Sequence, residues 1–285
     1  MKPSIFERLV TIPIKKKEMK NNLINITDND LDLNIYRIYP FNRFIDLMTS
    51  KMNVLVKTSL WEDPFENFIL NSTGKLSTGE TFTIASREQY FGQCWSTKKE
   101  SDAMWRIYSQ HIKNLTTQEL IIDNIGIKVK STIRNVFEPL FSIQENHIYP
   151  SNGKPYNVCS FMGRVKYHNK KDLITLLQQS AGDLILDQLG KSQASTLMLK
   201  RLAFTHEREI RVIYHNNQCS PSDKIYTYPI DPNICFEEIV VDPRVPKNIY
   251  LEIKQQLEKA GYKNKIIQSG LYKIENFTFN AELPR

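Results

Sequence analysis

The sequence predicts an α+β fold. Strand-like and helix-like segments follow one another without regular alternation, and no internal repeat organises them. Neither a GxGxxG turn nor a GxxxxGK[ST] loop is present, so a doubly wound sheet built on those phosphate-cradling loops is not expected. The 285 residues are 41% hydrophobic, enough for one sizeable core. That core is assigned to a single domain over 31–285, with helical insertions around 101–140 and 170–203.

In chain order, residues 1–30 read as an irregular polar arm. It holds Lys15, Lys16 and Lys17 and runs into the acidic series Asp28, Asp30 and Asp32. Leu33 to Tyr39 alternates as a strand that Pro40 closes. From Phe41 to Met52, apolar residues at 41, 44, 45, 47, 48 and 52 have helical spacing. Val54–Val56 is a short strand, and the Ser-, Thr- and Gly-rich stretch 71–88 is a loop or hairpin. Phe91–Thr97 reads as a buried strand, and Ser101-Asp102 as a cap for a helix with Met104, Trp105, Tyr108 and Ile112 on one face. Ile125, Ile127 and Val129 alternate, and a helix to about Leu140 follows. The turn-rich segment 144–157 marks the main internal division. Beyond it come a strand over 158–167, helices over 170–203, and strands near 209–214, 225–230 and 236–241. A helix over 247–260 ended by Gly261 and a strand near 265–268 complete the chain.

Composition excludes several classes. No apolar run approaches the roughly 18 residues of a membrane span, and the N-terminus does not resemble a secretory leader. Cys94, Cys159, Cys219 and Cys235 form no CxxC pair, and the five histidines lack ligand spacing. A reducing, cytoplasmic setting without a protein-built metal centre is therefore expected. The net charge of +7 suits nucleic acid, an acidic membrane surface or an anionic cofactor. No zinc-finger, helix-turn-helix or RNP pattern accompanies it, so nucleic acid is not the expected partner.

The densest chemistry lies in Phe204-Thr205-His206-Glu207-Arg208-Glu209-Ile210-Arg211. In an extended strand, Glu207, Glu209 and Arg211 share a face. Such a carboxylate pair divides two tasks: one acid stabilises developing positive charge, and the other orients or deprotonates a nucleophile. A solvated strand face would look the same. Upstream, Arg37 in Tyr36-Arg37-Ile38-Tyr39 needs an anionic partner, either a phosphate or an internal Asp or Glu. Cys94-Trp95-Ser96-Thr97 ends a buried strand in two hydroxyls. In Trp61-Glu62-Asp63-Pro64-Phe65-Glu66, Pro64 defines a turn. Within it, Trp61 either packs or stacks on a ring, Asp63 either caps a helix or binds a ligand's hydroxyls, and Glu66 is a second candidate for those hydroxyls. Arg106 points away from the Met104–Trp105–Tyr108 face and is free to meet phosphate.

Arg, then Ser-Thr, then Glu-x-Glu, in that order and on strands, is similar to the Arg-Ser-Glu class of ADP-ribosyltransferases. The resemblance implies a pair of packed β-sheets forming an NAD cleft, with a helical lobe. It implies NAD as substrate, with Arg37 on its phosphates, Ser96 ordering the cleft and Glu209 at the nicotinamide ribose. Tyr36, Thr97, Trp61, Asp63 and Arg106 complete the candidate cofactor contacts. Glu207 matches the acid that marks arginine-modifying members, which implies a target protein bearing an arginine. The chain departs from the pattern in having Ser96-Thr97-Lys98 for Ser-Thr-Ser, with Thr58-Ser59 as a rival. A second resemblance, over roughly 35–272, is to uncharacterised bacterial proteins, several linked to phage defence or host interaction. It rests on Tyr36-Arg37, Trp61–Glu66, Cys94-Trp95-Ser96, Met104-Trp105 with Tyr108, Lys200–Arg211 and Glu237–Arg244. It implies a bacterial effector or toxin, either cytoplasmic or translocated into a host cell. An NAD glycohydrolase is a near variant, and against these stand a non-catalytic nucleotide- or protein-binding immunity module and a nucleic-acid-binding protein or nuclease.

Overall fold

The computed structural model describes residues 19–144, 159–185 and 190–281. The Lys15–Lys17 cluster, most of the expected arm, nearly all of the turn-rich division and residues 186–189 lie outside them. The strands are β1 (Leu23–Ile24), β2 (Asn34–Pro40), β3 (Met52–Lys57), β4 (Thr73–Lys75), β5 (Thr81–Thr83), β6 (Tyr90–Ser96) and β7 (Gly126–Thr132). After them come β8 (Ser160–Arg164), β9 (Lys166–His168), β10 (Leu199–Arg201), β11 (Glu209–His215), β12 (Ile225–Pro229), β13 (Glu238–Val241) and β14 (Lys265–Gln268). The helices are α1 (Phe41–Ser50), α2 (Asp102–Tyr108), α3 (Ile133–Gln144), α4 (Lys170–Ile185), α5 (Lys191–Thr196), α6 (Pro232–Cys235) and α7 (Lys247–Lys259).

The fold is α+β, as the irregular element order predicts. Ten strands join in one hydrogen-bonded system with the order β1-β8-β11-β6-β2-β7-β13-β14, and β3 and β12 branch from β6. The two sheets implied by the resemblance are thus continuous through β6, which pairs with β3 at one end and β2 at the other. Pairing is antiparallel except for β1–β8 and β13–β14 in this system.

Local chemistry sets the element ends. Pro40 cannot donate to a ladder, so β2 stops there and the chain turns directly into α1. Lys51 takes the left-handed conformation that ends α1 and returns its N–H to the Leu47 carbonyl. Gly261, at φ +92, ends the turn after α7, a backbone geometry that a side chain resists. The buried face of α1, with Phe41, Phe44, Leu47 and Met48, packs into the main core. There Phe44 and Phe236 approach to 5.5 Å between ring centroids, and Trp95 and Phe236 to 6.4 Å.

Four organisational expectations change. The helices expected over 170–203 stop at α5, since β10 and a 3₁₀ turn occupy the end of that range. Residues 19–24 are not polar arm: Met19 and Leu23 are buried, and β1 pairs with β8, because the chain returns apolar side chains to the sheet edge. Residues 101–140 are not a helical insertion, since β7 lies between α2 and α3 and pairs with both β2 and β13. Helix α2 ends at Tyr108, short of Ile112, and Arg244 Nη2 covers its last carbonyls by donating to Trp105 O (2.9 Å) and Ser109 O (3.1 Å). No helix among the described residues is long and apolar enough to cross a membrane.

Candidate active site

Beyond the Gly92 pairing with β3 and before the Ser96 pairing with β2, strand β6 stands at a fork. A cavity of about 260 Å³ opens there, lined from β2 by Tyr36, Arg37 and Ile38 and from β6 by residues 92–96. Met104 and Tyr108 of α2 cover it, Trp61 closes one side, and Glu207 and Glu209 another. The register explains the convergence. Ser96 pairs with both Tyr36 and Glu209, so these three residues line up across adjacent strands.

Arg37 is anchored, but by no carboxylate among the described residues. Its Nη1 donates to the Cys94 carbonyl, and its guanidinium lies 5.0 Å from the Tyr39 ring centroid. Its Nε is buried without a hydrogen-bond partner, and no Asp or Glu among the described residues pairs with it. Of the two sequence alternatives, the internal ion pair is therefore absent from the described residues. A buried donor left unmade is costly, and an anionic guest would satisfy it.

The two acids arrive by a route the sequence did not indicate. Strand β11 starts only at Glu209. Glu207 ends a 3₁₀ turn over Leu202–Glu207, and Arg208 lies in the left-handed region at φ +46. Ser96 Oγ donates to the Glu207 carbonyl at 2.6 Å and accepts from the Lys98 N–H at 3.0 Å. The Thr97 N–H and Oγ1 both donate to the Arg208 carbonyl, at 3.0 and 3.3 Å. The hydroxyl pair thus fixes the turn that carries Glu207.

Behind the acids lies a buried ionic cluster. Lys200 Nζ, on β10, meets Glu207 Oε2 at 2.5 Å, Glu66 Oε1 at 2.7 Å and Glu209 Oε1 at 2.8 Å. Arg211, fully buried, donates from Nε to Glu209 Oε2 at 2.6 Å, from Nη2 to Glu66 Oε1 at 3.0 Å and from Nη1 to the Leu197 carbonyl at 2.7 Å. Three carboxylates face two cations, an excess of one negative charge when all are ionised. Burial, then the adjoining Glu209 carboxylate, pushes the Glu207 carboxyl up to about 7 against the pull of Lys200. Burial would also raise Glu209, but Arg211 and Lys200 outweigh it and hold that carboxyl well below the usual range. The pair thus offers one fixed anion and one group that exchanges its proton near neutrality, a division suited to acid–base work.

The remaining sequence candidates separate clearly. Tyr36, Arg37, Trp61, Ser96, Glu207 and Glu209 all line the one cavity. Asp63 does not: it accepts from the Phe65 N–H in its own turn and pairs with Arg201 at 2.9 Å. Glu66 is likewise committed to Lys200 and Arg211 rather than to a ribose site. Arg106 pairs with Asp102 at 2.9 Å on the surface, and Thr97 serves the turn. Ser59, the rival serine, donates to Glu88 away from the cavity. The α2 face splits, with Trp105 buried and donating to Glu100 while Met104 and Tyr108 face the cavity. Lys200 and Arg211, which hold these acids, have no role in the sequence reading. Their signal was a lysine directly after the apolar run Leu197-Met198-Leu199 and an arginine within a buried strand.

Gly92 keeps the cavity wall in place. A Cβ built there would lie 2.6 Å from Trp61 Cζ2 and 2.9 Å from Ile213 Cδ1. The Trp61 ring lies against this backbone, with the Arg211 guanidinium 4.5 Å from its centroid. Gly92→Val is expected to expel the indole and destabilise the fold by about 1–3 kcal/mol through overpacking. A lower melting temperature together with a changed Trp61 emission would show both effects.

No protein-family model matches the chain, and no curated protein matches it. Among solved structures, three of DarT from Thermus sp. 2.9 are similar over 84% of this chain. The complex with NAD+ has 10% identity, 96% of that chain covered and a TM-score of 0.34. The complex with ADP-ribosylated ssDNA has 9%, 94% and 0.35, and that with carba-NAD+ has 10%, 96% and 0.33.

Proposed function

We propose that this protein cleaves NAD between nicotinamide and ribose and transfers the ADP-ribose to an arginine side chain of a target protein. The observation that carries the reading is charge placement within one cavity. A guanidinium with no carboxylate partner among the described residues, Arg37, shares its walls with Glu207 and Glu209, the cavity-facing edge of a buried cluster with excess negative charge. NAD has the matching polarity, with an anionic diphosphate and a cationic nicotinamide ring on the adjoining ribose. Loss of nicotinamide develops positive charge on that ribose, and a preorganised carboxylate in a site of low dielectric stabilises it. Glu209 is the group held ionised for this role. Glu207 orients the acceptor and takes its proton, and the same excess negative charge favours a cationic guanidinium there.

A consequence is a rising pH profile. Transfer should increase as pH rises through about 7, where Glu207 loses its proton and becomes able to accept one. A rate of transfer flat between pH 5.5 and 8.5 would contradict this role.

The direct experiment incubates purified protein with labelled NAD and a lysate, following nicotinamide release and the fate of the label. The expected result is label on protein, removed by an arginine-specific chemical cleavage. Label that resists protease but yields to nuclease would replace arginine with a nucleic-acid acceptor. Tight NAD binding with no nicotinamide release would leave a non-catalytic binding module instead.

A further inference from the structure

We propose that Lys200 is a positioning residue for this chemistry: it ties Glu66, Glu207 and Glu209 together and so sets which cavity acid stays anionic and which exchanges its proton. The inference rests on the NAD-cleaving reading above and deepens it.

The geometry gives Lys200 no route to the substrate. Its ammonium has three N–H donors, and three carboxylates stand within 2.5–2.8 Å of it. The residue is buried and is not part of the cavity lining. It therefore acts through the acids. Its two cavity-facing partners are not equivalent. Both oxygens of Glu209 accept from cations, Oε1 from Lys200 and Oε2 from Arg211. Glu207 receives one such bond, from Lys200 at Oε2. Glu66 does not line the cavity, yet it draws on both cations and so dilutes the positive charge available to the other two acids.

The fold holds this arrangement from several sides. Strand β10 pairs with β9, placing Lys200 opposite Tyr167, whose hydroxyl accepts from the Glu209 N–H at 2.8 Å. The next residue, Arg201, binds Asp63 in the same turn that supplies Glu66. That turn and β10 are thereby clamped together at two successive residues. Phe204 places its ring 4.6 Å from Lys200 Nζ. The other ionisable groups facing the acids are Tyr108 of α2, Cys94 of β6, Tyr167 of β9 and Arg211 of β11.

Two isosteric changes should act in opposite directions. Lys200→Met removes the shared cation and should move the titration of Glu207 upward by at least one pH unit. Glu66→Gln removes the competing acid, leaves both cations to the cavity pair and should move it downward. The titration is read by carboxyl-carbon NMR of glutamate-labelled full-length protein, which requires no turnover. It is read again from the pH dependence of ADP-ribose transfer to an arginine acceptor. Lys200→Met should also lower the kcat of release at least 100-fold with the KM for NAD within threefold, and Lys200→Arg should restore part of it. A merely structural lysine would lower the melting temperature without moving the titration. If Lys200→Met does not fold, Glu66→Gln and Lys200→Arg still decide the question. Unchanged titration in folded variants, or shifts of the same sign, would overturn the proposal. Opposite NMR shifts in the two variants, with a wild-type protein that releases no nicotinamide, would uphold the charge-setting role and overturn the NAD-cleaving reading beneath it.

Discussion

Replacing Glu209 with glutamine is expected to slow nicotinamide release from NAD by roughly 10³-fold, almost wholly in kcat, while the protein stays folded. Loss of one preorganised group that stabilises transition-state charge typically costs about 3–4 kcal/mol, which sets that magnitude. Glutamine keeps the shape and one acceptor oxygen, so one of the two contacts, with Lys200 or with Arg211, survives in weaker form and the other is lost. The fold should tolerate the change for a specific reason. Removing one of three carboxylates from a cluster with two cations leaves equal charges, not a stranded one. The stability cost is then that of one lost and one weakened charge-assisted hydrogen bond, about 1–3 kcal/mol. Steady-state release with a parallel thermal melt separates the two effects. Activity within tenfold of wild type in a folded Glu209→Gln protein would remove Glu209 from the ribose.

The same cluster shows what the sequence could and could not convey. Element order and type were legible because the periodicities were strong: alternation over 33–39 became β2, and the 41–48 spacing became the buried face of α1. The last strand fell on Lys265–Gln268 as expected. The candidate residues Arg37, Ser96, Glu207 and Glu209 were legible as types in order, and register then brought them together. Three things were hidden. The ending of one strand side by side with two others is a long-range fact, so the fork at β6 has no local signature. The turn at Glu207 was hidden because His206-Glu207-Arg208 alternates as a strand would. Only the left-handed Arg208 reveals the reversal, and arginine carries no preference that announces it. The commitment of Asp63 and Glu66 to Arg201 and Lys200 was hidden because their partners lie more than 130 residues away. Sequence distance conceals pairing more completely than it conceals chemistry.

Arg37 should respond in the opposite sense to Glu209, through binding rather than turnover. Arg37→Ala is expected to raise the KM for NAD about 100-fold with kcat changed only severalfold, corresponding to about 3 kcal/mol for a charge-assisted phosphate contact. Arg37→Lys should recover part of the loss, since an ammonium supplies the charge without the planar fork. Calorimetry with ADP-ribose, which keeps the diphosphate and lacks nicotinamide, should show the same loss, whereas nicotinamide alone should bind both proteins alike. The stability of the empty protein provides the decisive second reading. Nε of Arg37 is buried without a partner, and among the described residues no carboxylate offsets the charge, so its removal should leave the melting temperature unchanged or raise it. A structural arginine would behave in the reverse way, because its loss would break a pair that the fold needs. Weaker ligand binding combined with equal or greater stability of the empty protein is the signature of a side chain retained for its guest. Destabilisation with unaltered affinity for ADP-ribose would place Arg37 among the scaffold and detach the diphosphate from this wall of the cavity.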